Sequence, residues 1–120
     1  MHILINKKYL TFNNYKAKCS IGKRGIGLKR KEGDLITPKG KYKIKFILYR
    51  KDRVKIQSKI KKIVIKKNMG WCDDPTDKKN YNKLIKINKD IKHEKLYRKD
   101  KKYDFFIPIK YNFKNTILGK

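Results

Sequence analysis

Two cysteines and two histidines are the side chains of this 120-residue chain that could form a cysteine–histidine catalytic dyad. Cys72 and His93 lie in the middle of the chain, whereas His2 is terminal and Cys19 lies in a predicted strand. A histidine that removes the proton of a cysteine thiol makes a thiolate, which is a strong nucleophile. Cys72 and His93 are therefore a remote candidate for a cysteine–histidine dyad. The alternative is a structural cysteine, because a small thiol beside Trp71 is often buried.

Asp73 and Asp74 are adjacent carboxylates, which raises the question of a metal site. A calcium loop needs further oxygen ligands at a fixed spacing, and this segment lacks them. We therefore expect a turn or a cap at these residues, and no metal. The two cysteines have no CxxC spacing and, with two histidines, are too few to indicate structural zinc. No motif indicates a cofactor.

The net charge of +26 is the extreme feature of the composition. Such a charge attracts polyanions, including nucleic acid and anionic lipid. The lysines are spread along the whole chain, however, and clustering is the expected footprint of a dedicated nucleic-acid surface. Isoleucine and asparagine are enriched with lysine, as A/T-rich codons would produce. Composition thus favours lysine at solvated positions, and the alternative is a non-catalytic basic module that binds nucleic acid or another polyanion.

The length of the chain predicts a single domain over residues 1–120. No apolar run reaches 18 residues, so we expect no transmembrane segment. Residues 1–8 contain only a three-residue apolar stretch, which is not a secretory signal. These two features do not assign the chain to a cellular compartment.

Alternation of apolar and polar residues predicts a mostly β fold. The last predicted strand has an apparent core face on which apolar residues alternate, with Pro108 on the opposite face: Tyr103, Phe105, Ile107, Ile109 and Tyr111. Proline cannot donate to a strand ladder, so this strand should lie on a sheet edge or carry a bulge at Pro108. Residues 90–100 are a weak helix candidate. We expect an incomplete β-sandwich or curled sheet with one or two short helices. The predicted strands are residues 3–5 and 9–12 as a hairpin, then 18–21, 42–49, 60–65, 80–87 and 103–111.

Two blocks of the sequence are dense in turn and packing residues. Asp34 and Thr37 can bond local backbone amides, and a turn is predicted over Thr37-Pro38-Lys39-Gly40. Trp71, the only tryptophan, should anchor packing. The blocks read Lys31-Glu32-Gly33-Asp34-Leu35-Ile36-Thr37-Pro38-Lys39-Gly40 and Met69-Gly70-Trp71-Cys72-Asp73-Asp74-Pro75.

In content and order these blocks resemble the L,D-transpeptidase catalytic-domain family, which cross-links or modifies peptidoglycan. The likeness extends from about residue 18 to residue 120, through a glycine-rich loop before the first block and Tyr81-Asn82 after the second. Leu35 stands where a glycine is common in that family. The residues that match the family motifs are Gly33, Asp34, Thr37, Pro38, Gly40, Trp71, Cys72, Asp73, Asp74 and Pro75.

The resemblance implies a cysteine acyltransferase that acts on the peptidoglycan stem peptide in the cell envelope. A thiolate attacks the peptide carbonyl, the terminal D-alanine leaves, and the acyl group passes to an amine or to water. In the family the cysteine that matches Cys72 is not the nucleophile. The catalytic histidine and cysteine follow the position of Tyr111-Asn112, and we expect neither before Lys120. Whether the chain is itself an enzyme is therefore open, and we expect it to be inactive alone.

Overall fold

The computed structural model describes residues 2–120, and Met1 lies outside this range. The fold over residues 2–120 is of the all-β class and has four small sheets, none of which is closed or curled. The mostly β prediction is confirmed, whereas the expected short helices and curled sheet are wrong. No helix in residues 2–120 is long and apolar enough to span a membrane. The strands are β1 (Leu4–Asn6), β2 (Tyr9–Phe12), β3 (Tyr15–Lys18), β4 (Ile26–Gly27), β5 (Thr37–Pro38), β6 (Phe46–Tyr49), β7 (Lys61–Val64), β8 (Met69–Cys72), β9 (Leu84–Lys86), β10 (His93–Lys95) and β11 (Phe105–Phe106).

Several predicted strands are present with shorter bounds. Residues 60–65 contain β7, and residues 80–87 contain β9. Residues 42–49 contain β6, preceded by an isolated bridge at Ile44.

Two predictions along the chain are wrong. The strand predicted for residues 18–21 lies earlier, because β3 ends at Lys18 after pairing with β2. The helix predicted for residues 90–100 is absent, and β10 lies in that segment instead. That segment has no sustained apolar stripe, and pairing with β8 satisfies its backbone.

The chain divides into two compact units, the first up to Lys41 together with Lys120 and the second Tyr42–Gly119. In the first unit β1, β2 and β3 form an antiparallel meander, which confirms the predicted N-terminal hairpin. Ile5 lies opposite Leu10, and Phe12 lies opposite Tyr15, so one face of the meander is apolar.

β4 and β5 form a two-stranded parallel sheet in the first unit, with Gly27 opposite Pro38. The turn predicted to begin at Thr37 is therefore wrong at its first two residues. Thr37 and Lys39 donate their backbone N–H groups to the carbonyls of Gly25 and Gly27. Both strands of a two-stranded sheet are edges, so Pro38 is tolerated there.

The second unit contains two three-stranded sheets, ordered β11-β6-β7 and β10-β8-β9. β6 and β7 are parallel, and the other neighbours are antiparallel. Leu48, Ile65 and Leu96 form the buried core, at 0–2% exposure. Trp71 and Phe106 pack against it. Since these side chains come from strands of both sheets or residues next to them, one apolar core stabilises both.

The apolar alternation predicted for the last strand faces the wrong way. Phe105, Ile107 and Ile109 are 40–45% exposed, whereas Pro108 between them is buried. Phe106, on the same side as Pro108, packs against the core. The core face of this segment is thus the opposite one from that predicted.

Pro108 lies where the pairing between β6 and the C-terminal segment changes register. Phe106 is opposite Leu48, and Ile109 is opposite Ile44, so two residues on one chain segment face three on the other. β11 is also an edge strand. The prediction of an edge or a bulge at this proline is confirmed.

Candidate functional site

Cys72 and His93 are direct cross-strand neighbours, because Cys72 in β8 pairs with His93 in β10. Residues opposite each other in an antiparallel ladder present their side chains on the same face of the sheet. The structure therefore brings together the two residues that the sequence singled out, although they are far apart along the chain. Cys19 and His2 belong to the first unit and do not pair with them in a strand.

The Cys72 thiol is 1% exposed. Burial raises the pKa of this thiol, and the carboxylates of Asp77, Asp74 and Asp73 raise it further, while a backbone contact at Asp74 acts in the opposite direction. A thiol with a raised pKa is protonated at neutral pH, which is the reverse of an activated nucleophile. The geometry of Cys72 is that of a structural cysteine.

The His93 ring is held by the backbone just before β10. Its Nδ1 lies 2.7 Å from the carbonyl oxygen of Ile91, and a carbonyl can only accept, so Nδ1 carries the proton. The ring also covers Gly70: a Cβ at that position would lie 2.8 Å from its Cδ2. Glycine at position 70 is therefore what allows the imidazole to lie over β8.

Asp74 closes the turn that follows β8. Its Oδ1 accepts bonds from the N–H and the hydroxyl of Thr76, at 2.9 and 2.6 Å, and its Oδ2 accepts from the Lys92 N–H. The bonds from Thr76 lower the pKa of Asp74. Asp73 Oδ1 is buried and has no hydrogen-bond partner within residues 2–120. No group of three histidine, cysteine or carboxylate side chains suited to a metal occurs in that range.

Asp34 organises the first motif block from its interior. Asp34 is 8% exposed. Its carboxylate forms a 2.9 Å ion pair with the Lys29 ammonium and accepts hydrogen bonds from three backbone N–H groups. The Lys29 ammonium and those amides hold the pKa of Asp34 well below its usual range. The donors are the amides of Arg30, Lys31 and Ile36.

The glycine-rich loop closes directly onto this block. Gly22 donates its N–H to the Thr37 hydroxyl at 2.7 Å. A Cβ at Gly22 would collide with the carbonyl oxygen of Leu35, so the close approach requires glycine. Leu35 itself adopts a left-handed backbone conformation, with φ of 60°. Side chains of L-residues disfavour that conformation, and glycine does not.

A groove of about 300 Å³ opens in the second unit, and sequence reasoning did not find it. Its aromatic wall is Trp71, which lies edge-on to Phe106 and stacks on Phe113, with ring centroids 5.2 and 6.3 Å apart. No carboxylate lines it. The lone tryptophan is the one sequence signal that pointed to this region. The lining residues are Lys45, Phe46, Lys61, Ile63, Trp71, Asn82, Lys83, Leu84, Phe113 and Thr116.

Comparison with known proteins found no match to this chain: no family model matches, nor does any curated protein or solved structure.

Proposed function

We propose that this chain is an L,D-transpeptidase-type domain of peptidoglycan synthesis, and that its described residues form the scaffold of the domain rather than its catalytic dyad. The proposal starts from the resemblance of the two motif blocks. It is supported by what those blocks do in the fold.

The backbone of Leu35 is the observation that carries the proposal. The resemblance expects a glycine at this position, and φ of 60° lies in the region that favours glycine. A left-handed backbone at Leu35 is what a loop with glycine at this position would allow, and this agreement supports the proposal. Of the non-glycine residues with positive φ, Leu35 is the one that lies in the first motif block.

Both blocks also have definite structural roles in the fold. The first is a loop built around the buried Asp34 carboxylate. The second supplies β8, the central strand of its sheet, and includes Asp74, which closes the following turn. We infer that the two three-stranded sheets of the second unit are part of an incomplete sandwich.

Cys72 and His93 are not the proposed catalytic pair. Burial and the raised pKa of the Cys72 thiol disfavour the thiolate. In this proposal the nucleophile and its histidine are other residues, and Cys72 packs inside the scaffold. The acyl donor is the stem peptide, and no metal or cofactor enters the reaction.

The test is to sequence the gene through and beyond codon 120 and to express the whole frame. We expect an apolar strand that ends in histidine, followed by a Ser/Thr-x-Gly-Cys segment. Incubation with a stem tetrapeptide should then add the acyl group to that cysteine and release D-alanine, as mass spectrometry would detect. The Cys72→Ser variant should acylate like the parent chain.

A stop codon directly after Lys120 would overturn the enzyme proposal for this gene. Acylation of Cys72 itself would overturn the assignment of that residue to the scaffold. Either result is visible in the same experiment, through the gene sequence or through peptide mapping of the adduct.

A basic module that binds polyanions is the second candidate, and charge balance favours it. The chain has 36 lysine and arginine residues against 10 acidic ones, so internal ion pairs cannot neutralise it. Several acids are also engaged by arginine, as in Arg50–Asp52 and Arg98–Asp100. Binding to RNA or DNA oligonucleotides of different sequence, measured against salt, separates this candidate: a sequence preference that survives at high salt supports it, and uniform loss contradicts it.

A further inference from the structure

The groove of the second unit is bordered by two strands that each have a neighbour on one side only. β7 ends the sheet ordered β11-β6-β7, and β9 ends the sheet ordered β10-β8-β9. Lys61 and Ile63 of β7 line the groove together with Leu84 of β9. An unpaired strand beside an apolar groove is the arrangement that extended peptides bind by strand addition.

The backbone of β7 has hydrogen-bonding groups directed away from its sheet. Ile65, just after β7, donates its N–H to the carbonyl of Tyr49 at 2.8 Å, so it points toward β6. Alternate residues of an extended strand turn their N–H and C=O groups to opposite sides. Lys62 and Val64 therefore direct theirs outward, where an added strand would pair with them.

β9 has the same property. The carbonyl of Lys83 accepts the N–H of Cys72 at 2.9 Å, which fixes the residues that face β8. By the same alternation, Leu84 and Lys86 direct their backbone groups away from β8. Both edges beside the groove therefore offer main-chain donors and acceptors.

The polar side chains within the groove are already engaged. The Asn82 side-chain oxygen accepts the indole N–H of Trp71 at 3.2 Å, and its amide donates to the carbonyls of Tyr111 and Asn112. The Thr116 hydroxyl donates to the Phe113 carbonyl. Recognition of a ligand therefore falls to the strand edges, the apolar wall and the lysines, which suits a peptide better than a small polar molecule.

The positive charge around the groove favours a peptide with negatively charged side chains. Lys45, Lys61 and Lys83 line the groove and are exposed, whereas the apolar lining residues are half-buried. The Lys83 ammonium also donates an exposed 2.9 Å hydrogen bond to the carbonyl of Lys79. No carboxylate lines the groove to neutralise the three lining lysines. We propose that the groove binds an extended, acidic segment of a partner protein as an added β-strand, with alternate apolar side chains packed against Trp71 and glutamates or aspartates paired with the three lysines. This inference is independent of the proposed transpeptidase function.

The probe for the test is a short all-L peptide, acetylated and amidated, that alternates glutamate with valine. Trp71 is the only tryptophan, so its fluorescence reports directly on the groove. We expect a saturable change in the emission of Trp71 on titration. The same peptide with N-methyl groups on alternate amides keeps its charge but loses strand pairing, and it should bind far more weakly.

A matched pair of charge variants separates the groove from the general basic surface. Lys45→Gln, Lys61→Gln and Lys83→Gln, combined, should weaken peptide binding on the order of tenfold. The control combines Lys55→Gln, Lys78→Gln and Lys89→Gln, which are exposed and do not line the groove, and should leave binding close to that of the parent. Thermal melts of both variants confirm that each is folded.

Four outcomes would overturn the inference. Equal weakening in the two triple variants would show non-specific attraction, and equal binding of the N-methylated peptide would exclude strand addition. A self-associated dimer that masks Trp71 would assign the groove to a second copy of the chain. A change in Trp71 emission with oligonucleotides, but not with the peptide, would assign it to nucleic acid.

Discussion

At the scale of single residues, Leu35 has a side chain that disfavours the left-handed conformation of its own backbone. It is 49% exposed, so little burial is lost when the side chain is removed. Relief of the left-handed conformation outweighs the greater flexibility of glycine in the unfolded chain. We therefore expect Leu35→Gly to raise the free energy of unfolding by about 0.5 kcal/mol, measured by urea denaturation.

Leu28 provides the control for this effect. It is 73% exposed and has no positive φ, so Leu28→Gly should lower the free energy of unfolding by about 0.5–1 kcal/mol. Leu35→Val should also destabilise, because β-branched residues tolerate the left-handed region poorly. Similar losses in Leu35→Gly and Leu28→Gly would contradict the assigned backbone conformation.

The Asp34 carboxylate gives the chain a predictable dependence on acid. Since its pKa is lowered in the folded state, it stabilises the fold fully above the ordinary aspartate pKa of about 4. As pH falls below that value the unfolded chain takes up a proton that the folded chain resists, and this stabilisation is lost. We expect Asp34→Asn to be destabilised at neutral pH, with the difference from the parent shrinking on acidification.

Denaturation of both proteins at a series of pH values between neutral and about 3 measures the difference. Asp90→Asn is a suitable control, since Asp90 is exposed. A difference between parent and Asp34→Asn that stays constant with pH would show that the charge of Asp34 is not what stabilises the loop.

At the scale of elements, burial in the second unit separates two isoleucines of equal size. Ile65 follows β7 and is 2% exposed, whereas Ile107 follows β11 and is 42% exposed. Ile65→Ala should lower the free energy of unfolding by about 2–5 kcal/mol, because it leaves a cavity in the shared core. Ile107→Ala, the matched control, should cost less than about 1 kcal/mol, as chemical denaturation would show. Equal losses would place the core face of the last segment where the sequence predicted it.

The elements also show what sequence could and could not predict. The hairpin of the first unit and the edge position of Pro108 were predictable, because turn residues and a missing N–H act locally. The burial of Phe106 rather than Phe105 was not, since both faces of that segment carry apolar residues and the partner strand decides which is covered. The pairing of Cys72 with His93 also depends on register between distant segments.

Within the candidate site, the sequence predicts the identity of the side chains better than their burial and hydrogen bonding. The sequence singled out Cys72 and His93 as a remote candidate dyad, and it predicted a turn or a cap at the two adjacent aspartates. It could not show that the thiol is buried or that Nδ1 of His93 bonds to a carbonyl. The groove escaped prediction because its lysines and aromatic residues come from several segments.

At the scale of the whole molecule, the charge of +26 acts against compactness. Self-repulsion is relieved by salt, since the Debye length falls from about 30 Å at 0.01 M to about 8 Å at 0.15 M. We expect Tm to rise over that range of sodium chloride by several degrees, as differential scanning calorimetry would measure. The combined Lys55→Gln, Lys78→Gln and Lys89→Gln variant should respond less steeply, and a Tm independent of salt would contradict this account.

The pairing of β6 with β11 has a consequence for the order of events during synthesis. Tyr49 is opposite Phe105, the widest sequence separation of the named strand pairs, whereas the meander β1-β2-β3 pairs neighbours. Closing a long loop is entropically slow, and local hairpins form first. On the ribosome, β6 therefore emerges long before β11. Its apolar residues stay unpaired on that side until nearly the whole second unit has been translated. During this interval the nascent chain should depend on chaperones more than its small size suggests.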